Sequence, residues 1–392
     1  MTIIQNIQQL HADMREWRRH LHRHPETAFE ETATAQFIAD KLAGFGLDVH
    51  RGLGKTGVVA TLSAGTGRRK IALRADMDAL FIEEQNTFAH KSCHTGKMHA
   101  CGHDGHTAML LGAAHYLSEN RGFNGTVYFI FQPAEEGRAG AKQMLDDGLF
   151  ALFPADCVFG MHNYPDIPAG HFAVKSGAMM ASFDCFEITI TGRATHAAMP
   201  QLGSDAIVVA AQLITALQTI VSRNLDPADP AVVSITQIHA GNTWNALPES
   251  VLLRGTYRCF SPAVQTTIAD KITLLLNSIC DGFGVSADIR FNPENAGYPV
   301  TVNSPAETAM ALQAALAVAG ELGVDLQPTP SMGSEDFAFM LQEKPGCYIW
   351  IGNGSSANSC LLHNPHYDFN DEILPAGAAY WVQLVEQVLR YS

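Results

Sequence analysis

The most concentrated group of chemically capable side chains lies between residues 98 and 106, where the sequence reads MHACGHDGH. Cys101 and His103 stand two positions apart, and a Cys-x-His pair in a turn can present a thiolate and an imidazole to one metal ion. A buried cysteine beside polar residues that cap a helix would have the same pattern. By itself, this segment leaves a metal site and a structural role equally open.

Two adjacent carboxylates, Glu135 and Glu136, follow the apolar run TVYFIF at 126–131. In open α/β sheets, ligands bind beyond the carboxyl ends of strands. One carboxylate at such a place can ligate a metal ion while the other takes a proton from water. Two solvated loop glutamates are the alternative, but the position at a strand end favours the catalytic interpretation.

Two further histidines follow apolar segments that read as strands. His162 comes after 157–161, and His363 comes after 348–351 and a glycine-rich loop. Either histidine alone is more often structural. Together with the two earlier segments they bring five candidate metal ligands to one part of an α/β domain. Five ligands are too many for one catalytic zinc ion, and they suit two metal ions that share a bridging ligand.

The elements that must position these groups follow two different patterns. In the first half, helices alternate with short apolar strands, which predicts an α/β fold with a largely parallel sheet. Between about 186 and 291 the predicted order is β-α-β-β-α-β, which is the order of a ferredoxin-like unit. The predicted domains are therefore a catalytic domain interrupted by an inserted ferredoxin-like domain, with segments 1–181, 182–295 and 296–392.

Composition limits the possible functions. The chain has 392 residues, 47% of them hydrophobic, enough for two or three domains with buried cores. The net charge of −14 argues against nucleic-acid binding, and the lack of an 18-residue apolar run argues against a membrane span. Eight cysteines without a paired framework, and a polar amphipathic N-terminus in place of a signal peptide, predict a cytoplasmic protein.

The motifs of the chain resemble those of the aminoacylase/carboxypeptidase family of dinuclear metallohydrolases. The most similar subgroup contains the hippurate hydrolases and the plant hydrolases of auxin–amino-acid conjugates. The matching motifs occur in order along the whole chain. They are WRRHLHRHPE at 17–26, LRADMDAL at 73–80, MHACGHDGH at 98–106, FQPAEEG at 131–137, GMHNYP at 160–165, ATHAAMP at 194–200, GNTWNALP at 241–248, MGSEDF at 332–337 and LHNPHYDF at 362–369.

The resemblance implies a role for each matching position in the catalytic domain. Glu135 matches the general base of the family. The family begins its metal site with His-x-Asp, but here that place reads Arg74-Ala75-Asp76. Arg74 cannot ligate a metal ion, so Asp76 is expected to orient the ligands and not to be a clear ligand itself. The implied cofactor is a pair of divalent ions, Mn²⁺ or Zn²⁺, and the implied metal ligands are Cys101, His103, Glu136, His162 and His363.

The resemblance also implies roles for residues of the inserted domain. His196 matches the histidine that stabilises the oxyanion. Arg258 matches the arginine that binds a substrate carboxylate, for which its planar guanidinium is well shaped. Asn245 is a candidate polar partner of the same carboxylate. Without the family match, a surface histidine and an exposed strand arginine would be the ordinary interpretation.

The predicted function is a metal-dependent amidohydrolase that cleaves N-acyl amino acids, of the acetyl, benzoyl or aryl-acetyl type, into a carboxylic acid and a free amino acid. The inserted domain is expected to act as a lid and could pair two chains into a homodimer. A dipeptidase or carboxypeptidase using the same dinuclear site is the alternative enzyme. A non-catalytic metal-binding protein is a third possibility, but it would not need Glu135 beside Glu136.

Overall fold

The structure is a computed structural model that describes residues 3–293, 297–354 and 360–391. The chain divides into two compact units. Unit 1 comprises Met1–Met179, Val302–Thr329 and Asp336–Ser392, and unit 2 comprises Met180–Thr301 and Pro330–Glu335. The predicted boundary between 295 and 296 lies outside the described residues.

The helices and strands are numbered in chain order. Helices α1–α12 are Ile3–Ile7, His11–Arg23, Thr32–Gly44, His103–Glu119, Glu135–Arg138, Gly140–Asp146, Leu149–Leu152, Ala206–Thr219, Pro262–Phe283, Pro305–Ala319, Phe337–Glu343 and Leu374–Val388. Strands β1–β16 are Asp48–Leu53, Gly57–Ala64, Lys70–Asp76, Gly125–Gln132, Cys157–Pro165, Phe172–Ala173, Gly177–Met180, Asp184–Thr191, Thr195–His196, Ala231–Ala240, Ala246–Leu247, Ser250–Cys259, Ser286–Phe291, Thr301–Asn303, Val324–Asp325 and Gly346–Gly354. Short 3₁₀ turns cover Gln8–Leu10, Pro200–Leu202, Glu321–Gly323 and Asp371–Ile373, and a π turn covers Ile220–Asn224.

Unit 1 is built on a mixed eight-stranded sheet with the order β1-β2-β4-β3-β5-β16-β6-β15. The four neighbouring strands β4, β3, β5 and β16 are parallel, but β1 and β2 form an antiparallel hairpin and β6 is antiparallel to β16. The expectation of a largely parallel sheet therefore holds only for the centre. The turn between β1 and β2 is too short for the crossover that parallel pairing needs.

The parallel centre places the carboxyl ends of three strands at one edge of the sheet. β3 ends at Asp76, and β4 leads into the turn that carries Glu135 and Glu136. β5 is longer than expected and runs through Pro165, because it stays paired with β16 beyond the apolar core. His162 therefore lies inside this strand, opposite Trp350, and not after its end.

Unit 2 confirms the predicted β-α-β-β-α-β order. Its main sheet has the order β10-β12-β8-β13 with every pair antiparallel, which is the 4-1-3-2 arrangement of a ferredoxin-like fold read in reverse. Alternate residues of β8 and β12 point into a separate apolar core that α8 and α9 complete, with Phe186, Leu213, Leu253 and Ile268 among its members. An apolar core of its own makes this insertion a domain.

One helical segment, Ala206–Asn224, is long and apolar enough to cross a membrane by length and composition alone, with a mean hydropathy of 1.5. It includes α8, whose residues Val209, Leu213 and Leu217 are buried in the core of unit 2. A helix that packs on a sheet in a compact domain passes the same test, so this segment is weak evidence for a membrane span.

Candidate metal centre

Cys101 and His103 flank a glycine that starts α4. Gly102 has φ 98° and a left-handed backbone, and a Cβ at this position would lie 2.3 Å from Asn163 Oδ1. Only glycine combines this conformation with this close approach. The turn therefore presents Cys101 and His103 at the amino end of α4, and both side chains are buried.

Asp78 sets the orientation of the His103 ring. His103 Nδ1 lies 3.0 Å from the carbonyl oxygen of Asp78 and 3.1 Å from its Oδ1, so Nδ1–H donates to this residue. In the described part of the chain, the buried Nε2 atom has no hydrogen-bond partner. A histidine that donates one ring nitrogen to a carboxylate and leaves the other unpaired is arranged as a metal ligand.

The carboxylate turn, residues 134–137, presents Glu135 and Glu136 through an irregular backbone. Ala134 has φ 56°, and Glu136 and Gly137 are non-helical. Asp78 Oδ2 accepts a hydrogen bond from the Glu136 backbone N–H at 2.9 Å. Asp78 therefore holds both the His103 ring and the backbone that carries Glu136.

Two histidines approach the ligand atoms of Glu136 and Cys101. Glu136 Oε1 lies 3.4 Å from His363 Nε2 and 4.0 Å from His103 Nε2 without hydrogen-bond alignment. His162 donates Nδ1–H to the Asn163 carbonyl at 2.6 Å, which leaves its Nε2 3.4 Å from Cys101 Sγ. The ligand atoms of Cys101, Glu136 and His363 all lie within 4.8 Å of one another.

Asp76 is a buried carboxylate that contacts the candidate ligands and their neighbours. It accepts hydrogen bonds from Arg74 Nη1 at 2.6 Å and from His106 Nδ1 at 2.5 Å, and its Oδ2 is 3.8 Å from His103 Nε2. The ligand atoms of Asp76, His103, His106 and His162 form a second group within 4.8 Å. The structure thus places Asp76 where it can orient ligands, and close enough for a carboxylate oxygen to ligate a metal ion.

The electrostatics of the cluster are dominated by buried anionic groups. Burial and the charge of Glu136 raise the pKa of the Cys101 thiol well above its usual range. Burial would lower the pKa of His103, but Asp76 and Asp78 outweigh it and raise that pKa to about 10. Buried charges of one sign need compensation by a partner or a metal ion. Thiol, imidazole and carboxylate donors with unpaired atoms facing one another fit divalent cations.

Glu135 lies at the edge of the same cluster. Its side chain is buried, and it offers an oxygen within 4.8 Å of ligand atoms of His103 and Glu136. A carboxylate here can reach a reacting water without being needed for the group formed by Cys101, Glu136 and His363. This is the arrangement that a general base requires.

Unit 2 brings two of its predicted site residues together. The short ladder of β9 and β11 pairs His196 with Ala246, and Ala197 N–H donates to the Asn245 carbonyl at 2.9 Å. His196 Nδ1 accepts a hydrogen bond from Ala198 N–H at 3.1 Å, so the neutral ring carries its proton on Nε2 and can donate it. The donor is the group that an oxyanion needs.

Arg258, the other candidate in unit 2, is held in place without a carboxylate partner among the described residues. Its guanidinium lies 4.7 Å from the centroid of the Phe183 ring, and Nη1 donates to the Met332 carbonyl at 2.9 Å. Arg254, on the same face of β12, instead donates to Glu187 at 2.7 Å. Arg258 is therefore the cation on this face that remains available to an anionic ligand.

The sequence reasoning missed the role of Asp78, although it lies in the LRADMDAL segment two positions after Asp76. Asp78 lies two residues beyond the end of β3, so the alternation of that strand does not reach it and no local pattern marked its role. The sequence reasoning also missed Asn163, whose Oδ1 lies 2.7 Å from His106 Nε2. No local pattern distinguishes Glu31, which contacts the carboxylate turn from about a hundred residues away.

Comparisons of the sequence with known proteins point to one family of hydrolases. The profile of peptidase family M20/M25/M40 matches residues 72–387. The hippurate hydrolase of Campylobacter jejuni is 41% identical over 391 residues, covering 100% of both chains. An N-acetyl-L-cysteine deacetylase of Bacillus subtilis is 38% identical over 96% of this chain and 88% of its own.

One of the similar solved structures has both the same fold and a related sequence. A Bacillus subtilis protein, described as a dinuclear metal-binding peptidase of family M20, superposes with a TM-score of 0.83 and 35% identity. The match covers 97% of this chain and 99% of that one. By sequence, fold and the grouping of its ligand-type side chains, this chain belongs to peptidase family M20/M25/M40.

Proposed function

We propose that this protein is a metal-dependent amidohydrolase that cleaves N-acyl amino acids into a carboxylic acid and a free amino acid. The observation that carries the proposal is the pairing of Glu136, which faces His103 and His363, with Glu135, which is adjacent but not needed for that group. The relatives named as a hippurate hydrolase and an N-acetyl-L-cysteine deacetylase support the same reaction class.

The residues of unit 1 supply the ligands and the proton transfers. Cys101, His103, Glu136, His162 and His363 would hold two divalent ions, with Asp76 behind them. When bound, such ions polarise an acyl oxygen and lower the pKa of water. Glu135 takes a proton from the attacking water and delivers it to the nitrogen of the leaving amine.

The residues of unit 2 recognise the substrate and the charge that develops on it. Arg258 binds the α-carboxylate through its planar fork, since no protein carboxylate among the described residues occupies it. Asn245 Oδ1 accepts from Thr243 Oγ1 at 3.0 Å, which turns the amide N–H donors toward other partners. His196 donates from Nε2 to the oxyanion.

The metal ions are proposed to be Mn²⁺ or Zn²⁺. A thiolate with imidazoles suits zinc, and the carboxylates suit manganese, so affinity order alone does not select one. Cytoplasmic location is proposed on the cysteines: none of the eight forms a disulfide among the described residues, and a Cys101 that ligates a metal ion must stay reduced.

A homodimer through unit 2 is proposed on its exposed apolar residues. The edge strand β10 exposes Val232 and Ile238, and α8 exposes Ile207 and Val208. Unpaired edge strands with apolar residues are ready to pair with a second chain. Light scattering on the intact protein should give twice the chain mass, and Ile238→Lys should reduce it to the monomer. A monomer at all concentrations would contradict the proposal.

The reaction is tested by a hydrolysis panel on protein reconstituted with Mn²⁺ or Zn²⁺. Acetyl, benzoyl and indole-acetyl amino acids should be cleaved, and the corresponding amino-acid amides, which lack the α-carboxylate, should be cleaved poorly. Faster cleavage of dipeptides with a free amine would instead establish the dipeptidase alternative. Metal retention without hydrolysis of any compound would leave a metal-binding protein.

A further inference from the structure

Glu31 is a buried carboxylate beside the metal centre that the proposed reaction does not use. It stands immediately before α3, and its side chain is fully buried. Oε1 accepts a hydrogen bond from the Ala134 backbone N–H at 2.9 Å, and Oε2 accepts one from Thr56 Oγ1 at 2.7 Å. Since a buried carboxylate without partners is strongly unfavourable, these two bonds hold Glu31 in one orientation.

The partner of Glu31 is the residue at which the carboxylate turn departs from β4. Ala134 has φ 56°, a left-handed conformation that is unfavourable for any residue with a Cβ. Such a conformation persists only where the surroundings fix it. The Ala134 carbonyl accepts from Gly140 N–H at 3.0 Å, so with Glu31 on its N–H both polar backbone groups of Ala134 are held.

A second carboxylate holds the other side of the same turn. Asp78 Oδ2 accepts the Glu136 N–H at 2.9 Å, two residues beyond the amide that Glu31 holds. Glu135 lies between the two fixed amides. Because the backbone here is irregular, these two bonds and not a regular helix fix the backbone from which the Glu135 side chain leaves the turn.

We propose that Glu31 is a positioning residue: by holding the Ala134 amide it sets the orientation of the Glu135 carboxylate. This inference rests on the proposed amidohydrolase function. The hydrogen bonds of the Glu31 side chain go to Thr56 and to the Ala134 amide and not to a candidate ligand, so its influence passes through the backbone of Ala134. Removing the acceptor should misdirect proton transfer while leaving substrate binding nearly intact.

The test compares Glu31→Ala with Glu31→Gln. Burial and the charge of Asp78 raise the pKa of Glu31 to about 7, so glutamine resembles its protonated form: its oxygen can accept from Ala134 N–H and its amide N–H can donate to Thr56 Oγ1. Glu31→Ala should lower kcat about 10- to 100-fold with KM nearly unchanged, and Glu31→Gln should restore most of the kcat. Glu30→Gln is the matched control, because Glu30 is exposed and pairs with Lys97 at 2.6 Å.

A readout that needs no activity separates this inference from the proposed function. In chelator-treated protein, amide hydrogen exchange of a peptide covering 132–141 should be faster in Glu31→Ala than in the wild type, and unchanged in Glu30→Gln. If the wild type hydrolyses nothing but exchange responds, the proposed function fails and the positioning role of Glu31 on the turn stands.

The proposal is overturned if folded Glu31→Ala keeps both wild-type kcat and wild-type exchange in 132–141. An equal loss of kcat in Glu31→Gln and Glu31→Ala would also overturn it, because glutamine preserves the acceptor. If Glu31→Ala does not fold, Glu31→Asp replaces it, since aspartate keeps the charge but is one methylene too short. The proposal is then overturned if Glu31→Asp keeps both wild-type kcat and wild-type exchange, or if Glu31→Gln loses as much kcat as Glu31→Asp.

Discussion

The candidate site residues of unit 1 and unit 2 differ in how firmly the protein holds them. Three of the five candidate ligands in unit 1, His103, Cys101 and His162, are buried, with at most 8% of each residue exposed, and the Asp78 carboxylate and two backbone carbonyls orient the imidazoles. His196 and Asn245 are exposed, and the hydrogen-bond partners of their side chains lie within two residues in the chain. Asp78 orients His103 from 25 residues away in the chain, whereas the side chains of His196 and Asn245 depend on local contacts.

This difference has a physical origin in what each group binds. A metal ion needs several ligands at fixed distances, so their orientation must be set before it arrives. A substrate varies in its acyl group and side chain, and loops that rearrange can accept it. Substitutions in unit 1 should therefore affect metal binding, proton transfer and stability, and substitutions at Arg258 and Asn245 in unit 2 should mainly affect KM.

The largest effect is expected for Glu135→Gln. Removal of the general base should lower kcat by about 10²- to 10⁴-fold, while the metal content stays at the wild-type level. Glu136→Gln is the matched variant and should lose metal ions, because Glu136 faces His103 and His363. Metal analysis alongside steady-state kinetics distinguishes the two. Full turnover by Glu135→Gln would rule out its role as the base.

The pH dependence of stability should arise in unit 1. Burial would lower the pKa of His22, but the hydrogen bonds that its ring donates to Asp104 and Glu84 outweigh it and raise that pKa to about 9. Because the folded pKa lies above the unfolded value, the stabilisation is complete below about pH 6.5 and is lost as the pH rises through 9. It amounts to on the order of 3 kcal/mol of unfolding free energy.

Denaturant unfolding of chelator-treated protein between pH 6 and 10 measures this loss. His22→Gln should be less stable at pH 6.5 and should show a flatter pH dependence across that range. His196→Gln, an exposed histidine of unit 2, is the control and should follow the wild type. A wild-type stability that does not fall above pH 8 would contradict the charged state of His22.

Asp78→Ala tests the orientation of the ligands. Loss of the carboxylate frees both the His103 ring and the Glu136 backbone N–H, so metal affinity should fall about 10- to 100-fold. Competition with a metal-chelating dye measures the affinity directly. Asp40→Ala, at an exposed position of α3, should bind metal like the wild type. An unchanged affinity in Asp78→Ala would show that the ligands need no such support.

The smallest effect is expected for Arg258→Lys. Lysine keeps the charge but loses the planar fork, so kcat/KM for N-acyl amino acids should fall about tenfold, mainly through KM. Arg254→Lys is the matched control on the same face of β12, because Arg254 is bound to Glu187. An equal loss of kcat/KM in the two variants would show that Arg258 has no specific role in binding the substrate carboxylate.

Much of the fold could be predicted because the spacing of apolar residues along the chain indicates which faces of a helix or strand are buried. The apolar run at 126–131 indicated the strand β4, and the alternation of helices with short apolar strands indicated an α/β fold. The antiparallel edges of the sheet were not predicted, because pairing direction depends on neighbours and connection lengths. The end of β5 was missed for the same reason: its pairing with β16 carries the strand past His162 to Pro165.

The sequence by itself determined the reaction class and the set of ligand-type residues, because Cys101, His103 and the Glu135–Glu136 pair stand in dense local motifs. Only the tertiary structure decided which side chains hold them. Asp78 lies 25 residues from His103, and Glu31 lies 103 residues from Ala134. Hydrogen bonds act over about 3 Å in space at any separation along the chain, so no local pattern can report them.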